Sequence, residues 1–190
     1  MRRFSVRPAL TMKGRKFKGL RGWAGKPLHP PLTDIPIGCY LLAAVLDVGS
    51  VIAGDGRRSG QDLWHAGTFA FVAGAAVSVL AALTGFVDWW RSSQPGTQAR
   101  RTANTHAIVM ITVTVLALVD IAVRIAKYDD YSAPVGVMVL SLVVALLVSV
   151  GATYGGSLVF DYGFNVETAG DSPVWHESEV DVLPGQKDTA

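Results

Sequence analysis

"PVGVMVLSLVVALLVSVGATYGGSLVF", residues 134–160, contains no charged side chain over its whole length. A helix needs only about 20 apolar residues to cross a hydrocarbon layer ~30 Å thick. Lipid offers the backbone no hydrogen-bond partner, so a continuous apolar run of this length reads as a membrane-spanning helix. Upstream, three more stretches repeat the pattern, from about Ile35 to Ala53, Ala66 to Trp90 and Ala103 to Ala126. Their connections, "GDGRRSGQDLW", "RSSQPGTQARR" and "KYDDYS", are short, which makes each helix antiparallel to its predecessor. The expected fold is therefore all-α, an integral-membrane up-and-down four-helix bundle. Residues 27–166 are its membrane domain, 1–26 a basic tail and 167–190 a polar tail expected to be extended or disordered.

Composition agrees with this reading. Half of the 190 residues are hydrophobic and 17% are charged, against about 25% charged in ordinary soluble domains. The single cysteine, Cys39, excludes an internal disulfide and any cysteine-rich metal or iron–sulfur cage. The basic N-terminal stretch lacks a short apolar core followed by a small-residue cleavage site, so the N-terminus is expected to be retained. No low-complexity tract and no internal repeat is evident.

Orientation follows from the basic residues. Arg2, Arg3, Arg7, Lys13, Arg15, Lys16, Lys18, Arg21 and Lys26 precede the first span, and Arg91, Arg100 and Arg101 lie between the second and third. The other two links hold Arg57 and Arg58, then Arg124 and Lys127 beside Asp129 and Asp130. This bias places both termini in the cytoplasm, in a multi-pass protein of the inner or plasma membrane. A basic tail beside a first span sets topology and touches anionic lipid; no nucleic-acid partner is expected.

The polar residues at the mouths of the spans carry the functional question. "KPLHPPLTDIPIG", residues 26–38, puts His29 and Asp34 at the entrance of the first span. Pro31 and Pro36 are tolerated early in a helix, with His29 just outside it. "TGFVDWW" ends the second span with Asp88, Trp89 and Trp90, and "TANTHAIVM" opens the third with Asn104 and His106. "GGSLVFDYG" closes the fourth with Asp161 and Tyr162. The topology gathers His29, Asp34, Asp88, His106 and Asp161 at one membrane face. Trp89, Trp90 and Tyr162 also suit an interfacial aromatic belt, and Asp34 a helix cap. Paired histidines on facing helices are the axial ligands of b-type haem, and imidazole suits other transition metals too.

A second polar layer lies deeper. Asp47 falls inside the first span, and Asp120 and Arg124, four residues apart, inside the third. His106 and Arg124 are eighteen residues apart, five whole turns, and so share one face of the third helix. Intramembrane charges are functional by default, but an Asp47–Arg124 or Asp120–Arg124 pair that only specifies packing is the favoured expectation. In the second span, Gly67, Gly74, Ser78, Ala81 and Gly85 form a small-residue stripe suited to close helix approach.

Together "HPPLTDIPIG", "TGFVDWW", the His106 segment and "GATYGGSLVFDYGFNV" resemble the membrane family called domain of unknown function 2231, over about Pro27 to Val166. The resemblance implies four membrane helices. In some members a Rieske iron–sulfur domain follows the fourth helix, which implies a redox setting. The tail stretch "VWHESEVDVLPGQ" looks like the opening strand and turn of such a domain, but the sequence has no Cys-x-His box and no iron–sulfur cluster is expected. Where family members often carry Asn four residues after the third-helix histidine, this chain has Met110.

Three functions follow as expectations. The first is a non-catalytic redox module binding haem b, or approaching quinone, through His29 and His106. Asp34 and Asp88 would orient the imidazoles or shuttle protons. A separate redox protein or respiratory assembly would be its partner, beside the lipid bilayer and further copies of the chain. The second is a structural, partner-recruiting subunit without cofactor. The third is a small transporter using Asp47, Asp120 and Arg124, disfavoured because inverted halves and broken spans are lacking. Nothing supports an enzyme, since no nucleophile–base motif or phosphate loop occurs.

Overall fold

In the computed structural model, which describes residues 18–22 and 25–166, four helices follow in order. They are α1 (His29–Ala53), α2 (Arg58–Ser92), α3 (Gln98–Ala126) and α4 (Val135–Phe160). No strand occurs among the described residues; the backbone before α1 makes one isolated bridge between Arg21 and Pro27. All four helices are long and apolar enough to cross a membrane. Both terminal tails, apart from residues 18–22 and 25–26, lie outside the described residues.

The helices pack as a ring in chain order, α1 against α2, α2 against α3, α3 against α4 and α4 against α1. α1 and α3 are therefore diagonal partners. The α1/α2 seam is the most extensive and α2/α3 the least. The small-residue stripe of α2 accounts for the first. A Cβ added at Gly67 would stand 2.8 Å from Asp47 Oδ1, at Gly74 2.7 Å from Cys39 Cβ, and at Gly85 2.6 Å from His29 Cε1. Each of these glycines admits a group from α1 that any side chain would expel. Ser78, on the same stripe, meets Tyr40 Oη at 3.0 Å.

The helices extend beyond the apolar spans at their polar ends. α1 begins at His29, with Pro30 and Pro31 in its first turn and Leu28 as a cap without a side-chain bond. His29 is thus the first residue of the helix, where the sequence placed it just outside. Asp34 is not the cap; it lies exposed within the helix. α2 gains two polar turns from Arg58, since a helix outside hydrocarbon needs no apolar side chains. At 35 residues and 1.5 Å per residue, α2 is about 52 Å long and protrudes from the bilayer.

Tyr40, Ala43, Phe71, Val113, Ala117, Val144 and Val148 fill the centre. Large apolar side chains cover the outside as well, among them Val45, Ile52, Leu83, Ile108, Leu118 and Leu146. Such a surface has only lipid as a suitable solvent. Away from the termini, Ser50 joins three elements. Fully buried, it donates to Gly60 O at 2.7 Å and accepts from Ala133 N–H at 2.9 Å, so α1, α2 and the α3–α4 loop share one hydroxyl.

Candidate functional site

Antiparallel packing brings the start of α1, the end of α2, the start of α3 and the end of α4 to one end of the bundle. There His29 of α1 and His106 of α3 meet across the diagonal, with ring centroids 6.5 Å apart and planes at 83°. Each imidazole is anchored on a main-chain carbonyl of the next helix. His29 Nδ1 lies 2.9 Å from Ala81 O and 3.3 Å from Thr84 Oγ1. His106 Nδ1 lies 2.8 Å from Gly151 O. A carbonyl can only accept, so each Nδ1 carries the proton and donates it, which leaves a lone pair on each Nε2. Both rings are partly buried.

Small residues make room for the pair. Gly85 lies beneath the His29 ring. On α4, a Cβ at Gly155 would sit 3.4 Å from His106 Cε1, and one at Gly151 would meet Met110 Sδ at 2.6 Å. Met110 thus fills the space over Gly151 one turn along from His106.

The other residues predicted for this end do not join the imidazoles. Neither Asp34 nor Asp88 hydrogen-bonds a histidine ring, because both Nδ1 atoms are committed to carbonyls. Asp88 is buried, but it lies against the Leu20 backbone and the Asn165 side chain. Asp161 is exposed at the C-cap of α4. Trp89 donates to Asn104 Oδ1 at 2.7 Å, while Arg100 lies 3.6 Å over its ring and donates to Trp89 O at 2.9 Å. Trp90 and Tyr162 are exposed, as interfacial aromatics are.

The second polar layer is again a diagonal bridge between α1 and α3. His29 and Asp47 are eighteen residues apart, as are His106 and Arg124, so the two bridges stand about 27 Å apart at 1.5 Å per residue. Arg124 pairs with both acids rather than one. Its Nη2 bonds Asp47 Oδ2, its Nη1 lies 3.2 Å from Asp47 Oδ1, and its Nε bonds Asp120 Oδ1. Thr68 Oγ1 accepts from Nη1 at 3.2 Å. The guanidinium is packed against the Phe71 and Trp64 rings, 4.6 and 4.9 Å from their centroids.

Sequence reading named Asp47 and Asp120 as partners of Arg124 but missed the main-chain and neutral partners in both layers. Main-chain acceptors such as Ala81 O and Gly151 O leave no trace in residue identity. Thr68 and Thr84 drew no attention, and Trp64 was read as part of the first connection although it lies in α2. The glycine stripe was the available signal, since Gly85 leaves room for the His29 ring.

Among comparisons with known proteins, a family model described as predicted membrane protein (DUF2231) matches residues 25–168. No curated protein and no solved structure matches the chain.

Proposed function

The chain belongs to the DUF2231 family of predicted membrane proteins, and on that footing we propose that it is a non-catalytic membrane redox module whose His29 and His106 hold the iron of a b-type haem. The supporting observation is the commitment of both Nδ1 atoms to main-chain carbonyls. An imidazole fixed in that tautomer offers Nε2 to a metal, and its orientation is set before any ligand arrives. The two rings lie 6.5 Å apart, so His29 and His106 would be the residues to hold such a group.

The donor set suits haem iron better than a bare transition metal. Among the described residues no group of three or more His, Cys, Asp or Glu side chains converges, whereas haem needs only two axial donors. Bound haem would supply one-electron redox chemistry. The chain's own work is to present two Nε2 atoms, to hold their tautomers through Ala81 O and Gly151 O, and to exclude water with the flanking helices. The basic residues argue that this end faces the cytoplasm, with both termini on that side of the inner or plasma membrane. Electrons would then be exchanged with a separate redox protein or a larger respiratory assembly.

The same Nε2 lone pairs favour a quinol as second occupant, since each can accept a quinol hydroxyl proton. Without any occupant, the two imidazoles remain staples joining α1 to α2 and α3 to α4. Absorption spectra of purified protein, oxidised and reduced, decide between these readings after expression with ample haem and metal. A Soret band that moves on reduction, lost in His29→Ala and in His106→Ala with helicity retained, is the expected result. A colourless, metal-free wild type would refute the haem reading.

A further inference from the structure

Two carboxylates and one guanidinium meet where no solvent reaches. Asp47, Asp120 and Arg124 are each 0% exposed. Arg124 directs both terminal nitrogens of its fork at Asp47, which completes that ion pair, and has only Nε left for Asp120. Asp120 is therefore the surplus acid. Its second oxygen, Oδ2, is buried with no hydrogen-bond partner.

The surroundings offer nothing to balance it. From α1 the facing groups are Asp47 and the phenol of Tyr40. α2 contributes Thr68 and the rings of Trp64 and Phe71 around the guanidinium, none of them ionisable. The only ionisable side chain of α4 is Tyr154, near the opposite end of that helix. α3 supplies Arg124 itself, and Lys127 beyond it is exposed. An ionised Asp120 would leave an uncompensated negative charge in a low-dielectric interior. That costs far more than a neutral carboxyl with one unmet hydroxyl.

We propose that this cluster is a proton-binding site, in which Asp120 holds one proton on Oδ2 while Asp47 stays ionised against Arg124. Uptake transfers one proton from hydronium to Oδ2, forming one O–H bond as another breaks and releasing water, and brings the buried group to electrical neutrality. A proton fits better than a metal cation because it needs no cavity. A cation requires a shell of oxygens, and the side-chain oxygens gathered at Arg124 are those of Asp47, Asp120 and Thr68. The site is independent of the histidine pair and lies at the other end of the α1–α3 diagonal.

Infrared spectroscopy of the full chain in lipid vesicles at neutral pH tests this. Wild type shows the carbonyl band of a protonated carboxyl, absent in Asp120→Asn. Asp47→Asn loses the band too, because Asp120 then becomes Arg124's sole counter-charge and gives up its proton. Asp88→Asn, altered at the other end, retains it. In detergent, Asp120→Asn, which mimics the neutral acid, keeps the wild-type unfolding midpoint, and Arg124→Gln lowers it. Identical carboxyl regions in wild type and Asp120→Asn overturn the proposal. So does a midpoint that rises with sodium in wild type alone, since the occupant is then a metal cation. Asp120→Ser serves for the same comparisons should the asparagine variant not fold.

Discussion

Gly85→Ala adds one methyl group to the α1/α2 seam, and its effect should depend on a residue 56 positions away in the chain. The new Cβ would lie 2.6, 3.0 and 3.1 Å from Cε1, Nδ1 and Nε2 of His29. The backbone of α2 cannot retreat without opening the seam, so the ring must leave Ala81 O and Thr84. A lost hydrogen bond costs about 0.5–1.5 kcal/mol and overpacking typically about 1–3 kcal/mol. Against these stands a helix-propensity gain of about 0.5–1 kcal/mol for alanine over glycine. The net expectation is a loss of about 1–3 kcal/mol. Gly38→Ala, with nothing within 4 Å of its Cβ, gains the propensity and loses nothing. Gly74→Ala meets Cys39 Cβ at 2.7 Å, a group with no freedom to swing aside, and should lose at least as much as Gly85→Ala. The decisive measurement is a double-mutant cycle by denaturant unfolding in detergent. In a His29→Ala background the added methyl has an empty space to enter, and Gly85→Ala becomes neutral or favourable. An equal loss in both backgrounds would show that the glycine serves the seam and not the imidazole.

Ser50→Ala should cost about 1–3 kcal/mol, because it strands the buried Ala133 N–H; wild-type stability in detergent would mean that the three-element junction is dispensable. Topology can be checked by cysteine labelling in intact cells in a Cys39→Ser background. An impermeant reagent should label Ser59→Cys from outside and leave Thr189→Cys untouched, and labelling at 189 would reverse the assigned orientation.

The four helices were legible because burial in lipid demands long uninterrupted apolar runs, and α4 has nothing else to offer. Helix ends were less legible. Hydropathy reports the thickness of the hydrocarbon, so the polar start of α2, from Arg58 through Asp62, left no apolar mark. His29 was misplaced for a related reason, since consecutive prolines read as a helix entrance although Pro30 and Pro31 lie inside the first turn. The meeting of His29 with His106 could be anticipated from topology, which fixes the level of a residue along the bundle. Which side chains touch at that level depends on the rotation of each helix about its axis. Hence Asp34 and Asp88 were grouped with the histidines and turned out to face elsewhere. The Arg124 cluster was more accessible, because residues spaced by four on α3 share a face and a buried guanidinium must find acids.

One helix is held differently from the rest. Among the described residues, the single hydrogen bond between α4 and another helix is the one from His106 to Gly151 O. The hydroxyls of Ser141, Ser149 and Thr153 all turn back onto α4's own carbonyls. Apart from that imidazole, α4 is a greased rod seated by van der Waals contact, and such contacts resist separation of helices far better than rotation about the rod's own axis. His106 therefore acts as a pawl. When the ring pivots off Gly151, no hydrogen bond from another helix is left along α4 among the described residues, and only its start stays tied, through Ala133 N–H on Ser50.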